Sequence, residues 1–295
     1  MKSVAIIGPN SGLGGPLKLH LETAGVKAEE IEFFAPLDPS GELGMTEYDG
    51  AAEWVKSVMS EALQKARLVL LCEPLPATVT PPPGALILDL TATLRGSGAP
   101  LLPSAAFAPG LHRLPSPAAM VLAGLLQKES SQKSAPQKET LYLWHLASAT
   151  ESLPGGAVEL LDQAQRVLGG RPGGSSDPAD LSVFNLRPIT ELAGDTLLTE
   201  LKWLGATPPP LRCSRIVGGQ FHCGVLLIDG LAALPSGVTV APFPSVHAAA
   251  GLDAPLIQSD AGQSGGIRLT VAYDPFSAAL FPRLTALLEK WLAEA

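Results

Sequence analysis

One stretch near the start of the chain constrains the fold most: the glycine-rich segment GPNSGLGG, residues 8–15. It follows a short apolar run, SVAII (3–7), which is typical of a buried strand. It leads into Leu13, Leu17 and Leu21, which recur at helical spacing. The order of strand, glycine-rich turn and helix predicts the first unit of an α/β fold in which backbone N–H groups at the helix start can hold a pyrophosphate.

This loop is a candidate cofactor site, with Gly8, Ser11, Gly12 and Gly14 as its binding residues. In a G-x-x-G-x-x-G spacing Ser11 takes the place of the middle glycine, so the pattern alone fits a tight turn equally well. The cofactor would be NAD or NADP.

Further apolar runs indicate that the loop opens a doubly wound parallel sheet. IEFFA (31–35), RLVLLC (67–72) and ALILDL (85–90) are typical of strands buried on both faces. Apolar residues between 54 and 62 fall at helical spacing and predict a helix there. We therefore expect an α/β, Rossmann-like N-terminal domain.

The later chain has a different texture, with longer strands of mixed polarity. They are TLYLWHLAS (140–148), LRCSRIV (211–217), GVLLID (224–229) and IRLTVAY (267–273), with a helix predicted at about 155–168. Two polar stretches, 127–139 and 169–180, are predicted to be surface loops. The pattern predicts an α+β, mixed-sheet second domain. We assign 1–115 and 275–295 to the Rossmann-like domain and 116–274 to the second, catalytic and dimerisation domain.

Composition excludes several kinds of partner. The chain carries 28 acidic and 20 basic residues, a net charge of −8, and has no basic run, which disfavours nucleic acid and anionic membranes. It has no apolar run near the ~20 residues of a membrane span and no secretory signal. Three cysteines form no disulfide framework, so we expect a cytoplasmic protein. The sequence contains no CxxC motif and no histidine pair at metal-ligand spacing, so we predict no metal site.

Five sequence islands, in order, resemble the aspartate-semialdehyde dehydrogenase family. Together they span nearly the whole chain: VAIIGPNSGLGG (4–15), LILDLTATLR (86–95), VFNLRP (183–188), ELK (200–202) and CSRIVGGQFH (213–222). The resemblance implies a two-domain NADP-dependent enzyme fold, a role in amino-acid biosynthesis and a homodimer that pairs through the second domain.

The resemblance also implies roles for single residues. Arg215 matches the arginine that grips a substrate carboxylate, and His222 matches the acid/base histidine. Arg95, Glu200 and Lys202 match positions around the substrate carboxylate and phosphate, so these residues and Arg215 predict a small-anion site.

The chain departs from the family where covalent chemistry occurs. Ala119 stands where the family has its nucleophilic cysteine, and Thr150 stands where it has a supporting glutamine. Asp38 lies near the position at which the family has an arginine that holds the 2′-phosphate of NADP. These losses favour a non-catalytic (Usg-type) paralogue, a pseudoenzyme that keeps the fold, the dimer and an anion site.

Two alternatives remain open at the level of sequence. The first is an active NAD(P)-dependent oxidoreductase on an acidic, semialdehyde-like substrate, using non-covalent hydride transfer or Cys223 as a displaced nucleophile beside His222. Adjacent strand residues face opposite ways, which favours a buried thiol at Cys223. The second alternative is an assembly protein with a vestigial cleft.

Overall fold

The structure is a computed structural model that divides into two compact units. One unit comprises Met1–Thr93, Ser97–Leu114 and Arg283–Ala295, and the other comprises Leu94–Gly96 and Pro115–Pro282. The structure describes residues 4–36, 44–96, 98–103, 107–130, 140–148, 151, 187–189, 193–207, 209–217, 223–235, 240, 246–262 and 266–294.

The described residues of the first unit form a seven-stranded sheet in the order β3-β4-β2-β1-β5-β6-β7. All neighbouring strands are parallel except β3 and β4. The strand order reverses direction at β1, which confirms the doubly wound prediction. The strands are β1 (Val4–Ile7), β2 (Ile31–Ala35), β3 (Met45–Tyr48), β4 (Ala51–Ser57), β5 (Leu68–Leu71), β6 (Leu86–Asp89) and β7 (Gly110–His112).

Two helices follow strands of this sheet, and one returns from the end of the chain. Helix α1 is Gly14–Thr23, and α2 is Leu90–Arg95, whose last two residues belong to the second unit. The C-terminal helix packs on this unit through its last three turns. Thr285 Oγ1 lies 2.7 Å from His20 Nε2, and the Arg67 guanidinium lies over the Trp291 ring.

The helix predicted between 54 and 62 is wrong, because this region forms β4 and a turn. β4 pairs with β2 in parallel and with β3 in a hairpin. The hairpin turn has φ of 52° at Asp49 and 71° at Gly50, the pair of positive values that an Asp-Gly turn supplies between two strands. The Asp-Gly pair was therefore the sequence signal for this hairpin, and sheet pairing overrode the helical spacing of the apolar residues.

The described residues of the second unit form a six-stranded mixed sheet in the order β12-β13-β11-β8-β10-β9. Only β8 and β10 run parallel, which confirms the mixed sheet. The strands are β8 (Leu141–Ala147), β9 (Arg187–Ile189), β10 (Leu211–Val217), β11 (Gly224–Leu231), β12 (Leu256–Ala261) and β13 (Ile267–Tyr273). Its helices are α3 (Pro117–Ser130), α4 (Ala193–Trp203) and α5 (Val246–Ala249). A π-helix at Phe276–Leu280 then leads into α6 (Phe281–Glu294), the C-terminal helix, whose residues from Arg283 onward belong to the first unit.

One face of this sheet is buried and the other is partly open. Leu143 and Ile228 pack in the core with Leu122 of α3 and Leu201 of α4. The alternation of β8 places Tyr142 and Trp144 on the opposite face, where they are about 40% and 38% exposed. The predicted loop at 127–139 begins with the last turn of α3, and the helix predicted at 155–168 and the loop at 169–180 lie outside the described residues. No helix in the described part of the chain is long and apolar enough to cross a membrane.

Candidate functional site

The side chain of Ser11 forms hydrogen bonds within the glycine-rich loop of the first unit. Ser11 Oγ donates to Gly8 O at 2.8 Å and accepts the Gly14 N–H at 2.9 Å. Gly14 must lack a side chain, because a Cβ there would lie 2.0 Å from Gly8 O. Gly8 has φ of 78°, which favours glycine. Gly12 is exposed and has nothing within 4 Å of its Cβ position.

Two further donors at the start of α1 are used inside the protein. The Gly15 N–H donates to Ser11 O and the Leu17 N–H donates to Leu13 O, both at 3.1 Å. Pro16 has no N–H to offer. The Gly12 and Leu13 N–H groups make no hydrogen bond to a described residue, so they are the donors left for an anion at this loop.

A carboxylate also lies against the loop. A Cβ at Gly8 would lie 2.9 Å from Glu73 Oε2, so negative charge sits where a pyrophosphate would approach the first glycine. This carboxylate disfavours a pyrophosphate at the first glycine, and Ser11, which replaces the middle glycine, uses its hydroxyl within the loop.

A different helix start opens into a cavity, and this cavity lies wholly within the second unit. Its volume is about 50 Å³, and a water needs roughly 10–15 Å³ of such volume. The cavity can therefore take a group the size of a carboxylate, sulfate or phosphate. Its lining includes the polar residues Arg95, Ser116, His145, Thr196, Glu200, Cys213 and Arg215, beside the methyl group of Ala118.

Strand pairing brings the cationic side of the cavity together. β8 alternates buried and outward residues, so His145 faces inward with Leu143. In the parallel pairing of β8 with β10, Arg215 stands beside His145 and Cys213 stands beside Leu143. The register therefore places a guanidinium next to an imidazole on the covered face of the sheet.

Arg215 is held by two backbone carbonyls rather than by a carboxylate. Its Nη1 donates to Arg95 O at 2.7 Å, and its Nη2 donates to Glu151 O at 3.0 Å. Its Nε is buried and has no hydrogen-bond partner within the described ranges. The guanidinium keeps its full positive charge beside the cavity.

Glu200 caps the far side of the cavity. Its Oε2 accepts the Ser116 hydroxyl at 2.5 Å and the Ser116 N–H at 3.1 Å, and the residue is 1% exposed. Lys202, two positions further along α4, is exposed and does not line the cavity, because residues two apart point to different sides of a helix. Of the three predicted cations, the structure brings Arg95 and Arg215 to this place.

The first turn of α3 presents unpaired backbone donors here. Pro117 occupies the first helical position, which suits a residue without an N–H, and the Met120 N–H donates to Ser116 O. The N–H groups of Ala118 and Ala119 make no hydrogen bond to any residue that the structure describes. Ala118 lines the cavity, whereas the Ala119 side chain is fully buried in the core.

A buried polar network adjoins the cavity. Tyr273 Oη donates to Glu151 Oε1 at 2.7 Å and lies 2.8 Å from His145 Nε2. The other carboxylate oxygen, Oε2, accepts the N–H of Ser148 at 3.1 Å and its hydroxyl at 3.2 Å. Gly224 makes room, since a Cβ there would lie 2.5 Å from Tyr273 Oη and 2.6 Å from Glu151 Oε2.

The environment fixes the charge of two members of this network. Burial acts to raise the pKa of Glu151, but the charge and hydrogen bond of His145, the hydrogen bond of Tyr273 and the charge of Arg215 together lower it. Burial, followed by the charge of Glu151, raises the pKa of Tyr273 well above its usual value. Glu151 is therefore a carboxylate and Tyr273 a neutral phenol around neutral pH.

The cysteines of the second unit are poor nucleophiles. Burial raises the pKa of Cys213 to about 11, partly offset by Arg215. Burial, with the charges of Asp274 and Glu151, raises the pKa of Cys223 to about 12, and Cys223 packs against Ala249 and Ala272. Since the thiolate is the reactive form, this environment argues against a nucleophilic Cys223.

Some predicted positions cannot be placed, and some residues of the site were missed. His222, Thr150 and Asp38 lie outside the described residues. The sequence analysis did not single out His145, Tyr273 or Glu151. A histidine at an inward position of an otherwise apolar strand was the available signal for His145, whereas Tyr273 and Glu151 reach it only through strand pairing.

Comparison with known proteins establishes the fold. A structure described as a probable aspartate-semialdehyde dehydrogenase from Pseudomonas aeruginosa aligns with a TM-score of 0.71 and 20% identity, covering 97% of both chains. Aspartate semialdehyde dehydrogenase II from Vibrio cholerae aligns at 0.67 and 15% identity, covering 99% of this chain and 98% of that one. The enzyme from Francisella tularensis aligns at 0.66 and 13% identity, covering 98% of this chain and 100% of that one.

No protein-family model matches the sequence, and no curated protein matches it either. The structural similarity shows that the chain has the fold of the aspartate-semialdehyde dehydrogenases along nearly its full length.

Proposed function

We propose that this protein is a non-catalytic relative of the aspartate-semialdehyde dehydrogenases that binds a small anion as a cytoplasmic homodimer. The observation that carries the proposal is the cavity of the second unit, where two arginines and the open start of α3 meet. The ligand is a small carboxylate, sulfate-like or phosphate-like group.

Three kinds of donor support an anion in this cavity. Arg95 and Arg215 line it together with the single carboxylate Glu200, so the lining carries more positive than negative charge. The unpaired Ala118 and Ala119 N–H groups lie at the positive end of a helix dipole. Charge-assisted hydrogen bonds to such donors are the strong ones.

The same helix start supports the absence of covalent catalysis. Ala118 presents a methyl group to the cavity and the Ala119 side chain is buried in the core, so this helix start offers no thiolate to attack an aldehyde carbon. Cys223 is buried with a raised pKa. The Glu73 carboxylate beside the glycine-rich loop of the first unit also disfavours a bound dinucleotide.

The anion site is tested by thermal shift and calorimetry with phosphate, sulfate and aspartate. A ligand that binds only the folded chain stabilises it by RT ln(1 + [L]/Kd), about 2.7 kcal/mol at a hundredfold excess over Kd. We expect stabilisation of the wild type and its loss in Arg215→Ala, each compared with its own ligand-free melting temperature.

Arg212→Ala is the matched control, because Arg212 lies on the same strand, is exposed and stacks over Tyr142 on the opposite face. This variant should bind anions like the wild type. Equal stabilisation of the Arg215→Ala and Arg212→Ala proteins, or none of the wild type, would replace the proposal with a vestigial cavity.

The dimer is supported by the open face of the second sheet. Tyr142 and Trp144 stack there with ring centroids 6.4 Å apart, and Leu227 stands beside Trp144 in the pairing of β8 with β11. An apolar, partly exposed face of this kind suits a symmetric contact with a second copy. Light scattering at micromolar concentration should give twice the mass of 30.5 kDa.

Trp144→Glu should shift that mass towards the monomer, while Trp54→Glu, which changes an exposed tryptophan of the first unit, should not. A monomeric wild type would rule out the dimer.

A further inference from the structure

A buried network of His145, Tyr273 and Glu151 adjoins the proposed anion site. Burying polar and charged side chains such as these costs free energy, so the network calls for an explanation. The three residues are 7%, 0% and 0% exposed, respectively. Buried ionisable groups persist when they are fully hydrogen-bonded. The network leaves no space for a side chain at position 224, which shows that Tyr273 and Glu151 pack tightly against Gly224.

The network's hydrogen bonds assign its protons. An ionised carboxylate only accepts, so the single proton of Tyr273 Oη points to Glu151 Oε1. The Tyr273 oxygen can then only accept at its 2.8 Å contact with His145 Nε2. Nε2 therefore carries a proton, and Nδ1 is the ring atom that can gain or lose one.

His145 Nδ1 is available to the cavity. It makes no hydrogen bond to a residue in the described ranges, and His145 lines the cavity. Burial keeps Tyr273 a neutral phenol near neutral pH, and the hydrogen bond of Tyr273 and the charge of Arg215 favour an ionised Glu151 whatever the charge of the ring. Histidine is the side-chain type that can gain or lose a proton near neutral pH, and His145 is the histidine on the lining of this cavity.

Charges of both signs face this imidazole. Glu151 Oε1 lies 3.5 Å from Nε2 and favours a cationic ring. Arg215, beside His145 in the strand pairing, and Arg95, on the lining of the same cavity, disfavour one. The titratable and charged groups around the ring are Glu151 after β8, Tyr273 on β13, Cys213 and Arg215 on β10, Glu200 on α4 and Arg95 at the end of α2.

An anion would change this balance. Bound between the arginines, it offsets their repulsion and offers Nδ1–H an acceptor, so both effects favour the protonated ring. The proton comes from solvent, adds to Nδ1 and leaves the other hydrogen bonds of the network unchanged.

We propose that anion binding in the cavity is coupled to the uptake of a proton by His145. Tyr273 and Glu151 are positioning residues in this account: Tyr273 fixes the ring through Nε2, and Glu151 supplies the counter-charge. The inference rests on the proposed anion site and adds to it a dependence on pH. Affinity is highest at low pH and falls as pH rises, by at most about tenfold per pH unit for one linked proton.

Sulfate is the probe, because it does not change its own charge between pH 5 and 8. Calorimetry in two buffers with different ionisation enthalpies measures the protons taken up per sulfate bound. We expect uptake of a fraction of one proton near neutral pH. The uptake should vanish in His145→Gln, which still binds sulfate through the arginines, and should persist in His112→Gln, which alters a histidine of the first unit.

Sulfate binding without proton uptake would overturn the inference and leave the anion site standing. A second measurement covers the case in which sulfate does not bind and the proposed function fails. Nitrogen-15 NMR of the histidine rings in the free chain should show His145 protonated at Nε2 and titrating at Nδ1. The midpoint of that titration should fall in Glu151→Gln and shift in Tyr273→Phe. A ring protonated at Nδ1 alone, or one that does not titrate, would overturn the inference whatever sulfate does.

Discussion

Two helices of this protein, α1 and α3, begin in segments rich in residues that favour turns, but their first turns differ in which backbone N–H groups remain unpaired. The start of α1 follows a glycine-rich loop, but the N–H groups of Gly14, Gly15 and Leu17 are paired with Ser11 and Leu13, and the Glu73 carboxylate lies against the loop. The start of α3 follows a plain Pro-Ser-Pro segment, yet Ala118 and Ala119 keep unpaired donors beside two arginines. A glycine-rich motif thus marks a close backbone turn, whereas the free donors decide where an anion can bind.

The largest effect expected from this comparison is on catalysis. Neither helix start suits a phosphorylating dehydrogenase, since a carboxylate lies against the loop before α1 and the first turn of α3 has alanines in place of a thiol. We expect no reduction of NAD or NADP by aspartate semialdehyde and phosphate, many orders of magnitude below an enzyme with its nucleophile. The measurement is the absorbance of the reduced nicotinamide.

The Cys223→Ser variant is the control for that assay. Both proteins should give only background. Turnover by the wild type above that of the variant would show that Cys223 acts as a displaced nucleophile after all.

A smaller effect is expected from Gly224→Ala, which breaks the network beside α3 and leaves α1 untouched. The new methyl group would overlap Tyr273 Oη and Glu151 Oε2. Overpacking of this kind costs about 1–3 kcal/mol of unfolding free energy, measured by urea unfolding, and sulfate binding should weaken with it.

Gly124→Ala is the matched change in the same unit. Gly124 lies inside α3 with nothing within 4 Å of its Cβ position, so alanine there should be neutral or stabilise by up to about 1 kcal/mol. Equal stability of the Gly224→Ala and Gly124→Ala variants would show that the network is loosely packed.

The smallest effect is expected at the start of α1. Ser11→Ala removes the hydroxyl that donates to Gly8 O and accepts the Gly14 N–H. It should cost about 1 kcal/mol of unfolding free energy, while sulfate binding in the second unit stays as in the wild type. Ser60→Ala is the control, because the Ser60 hydroxyl is buried without a hydrogen-bond partner in the described part of the chain. Loss of sulfate binding in Ser11→Ala would show that the anion binds at the start of α1, which contradicts the proposed site at the start of α3.

The sequence predicted the fold better than the site, for physical reasons. Buried parallel strands such as β1, β5 and β6 appear as continuous apolar runs, so their sheet could be predicted. The edge hairpin of β3 and β4 could not be predicted from spacing, because its exposed Trp54 and buried Val55 alternate in a way that also fits a helix. The Asp49-Gly50 turn was the better guide.

Within the site, residues that belong to short sequence motifs could be predicted. Residues that strand pairing brings together could not. Arg95, Glu200 and Arg215 do line one cavity. His145 reaches it because β8 and β10 pair in parallel with His145 beside Arg215, a register that no local pattern encodes. Whether a helix start is open or closed depends on hydrogen bonds such as that of Ser11, which a glycine pattern does not reveal.

The most direct test of the comparison is a sulfate titration followed through the backbone amide signals of the isotope-labelled protein. Open donors should respond and paired donors should not. The account predicts saturable shifts at Ala118 and Ala119, with the amides of Gly8, Gly14 and Gly15 unchanged. Shifts confined to the glycine-rich loop, with Ala118 and Ala119 silent, would contradict it.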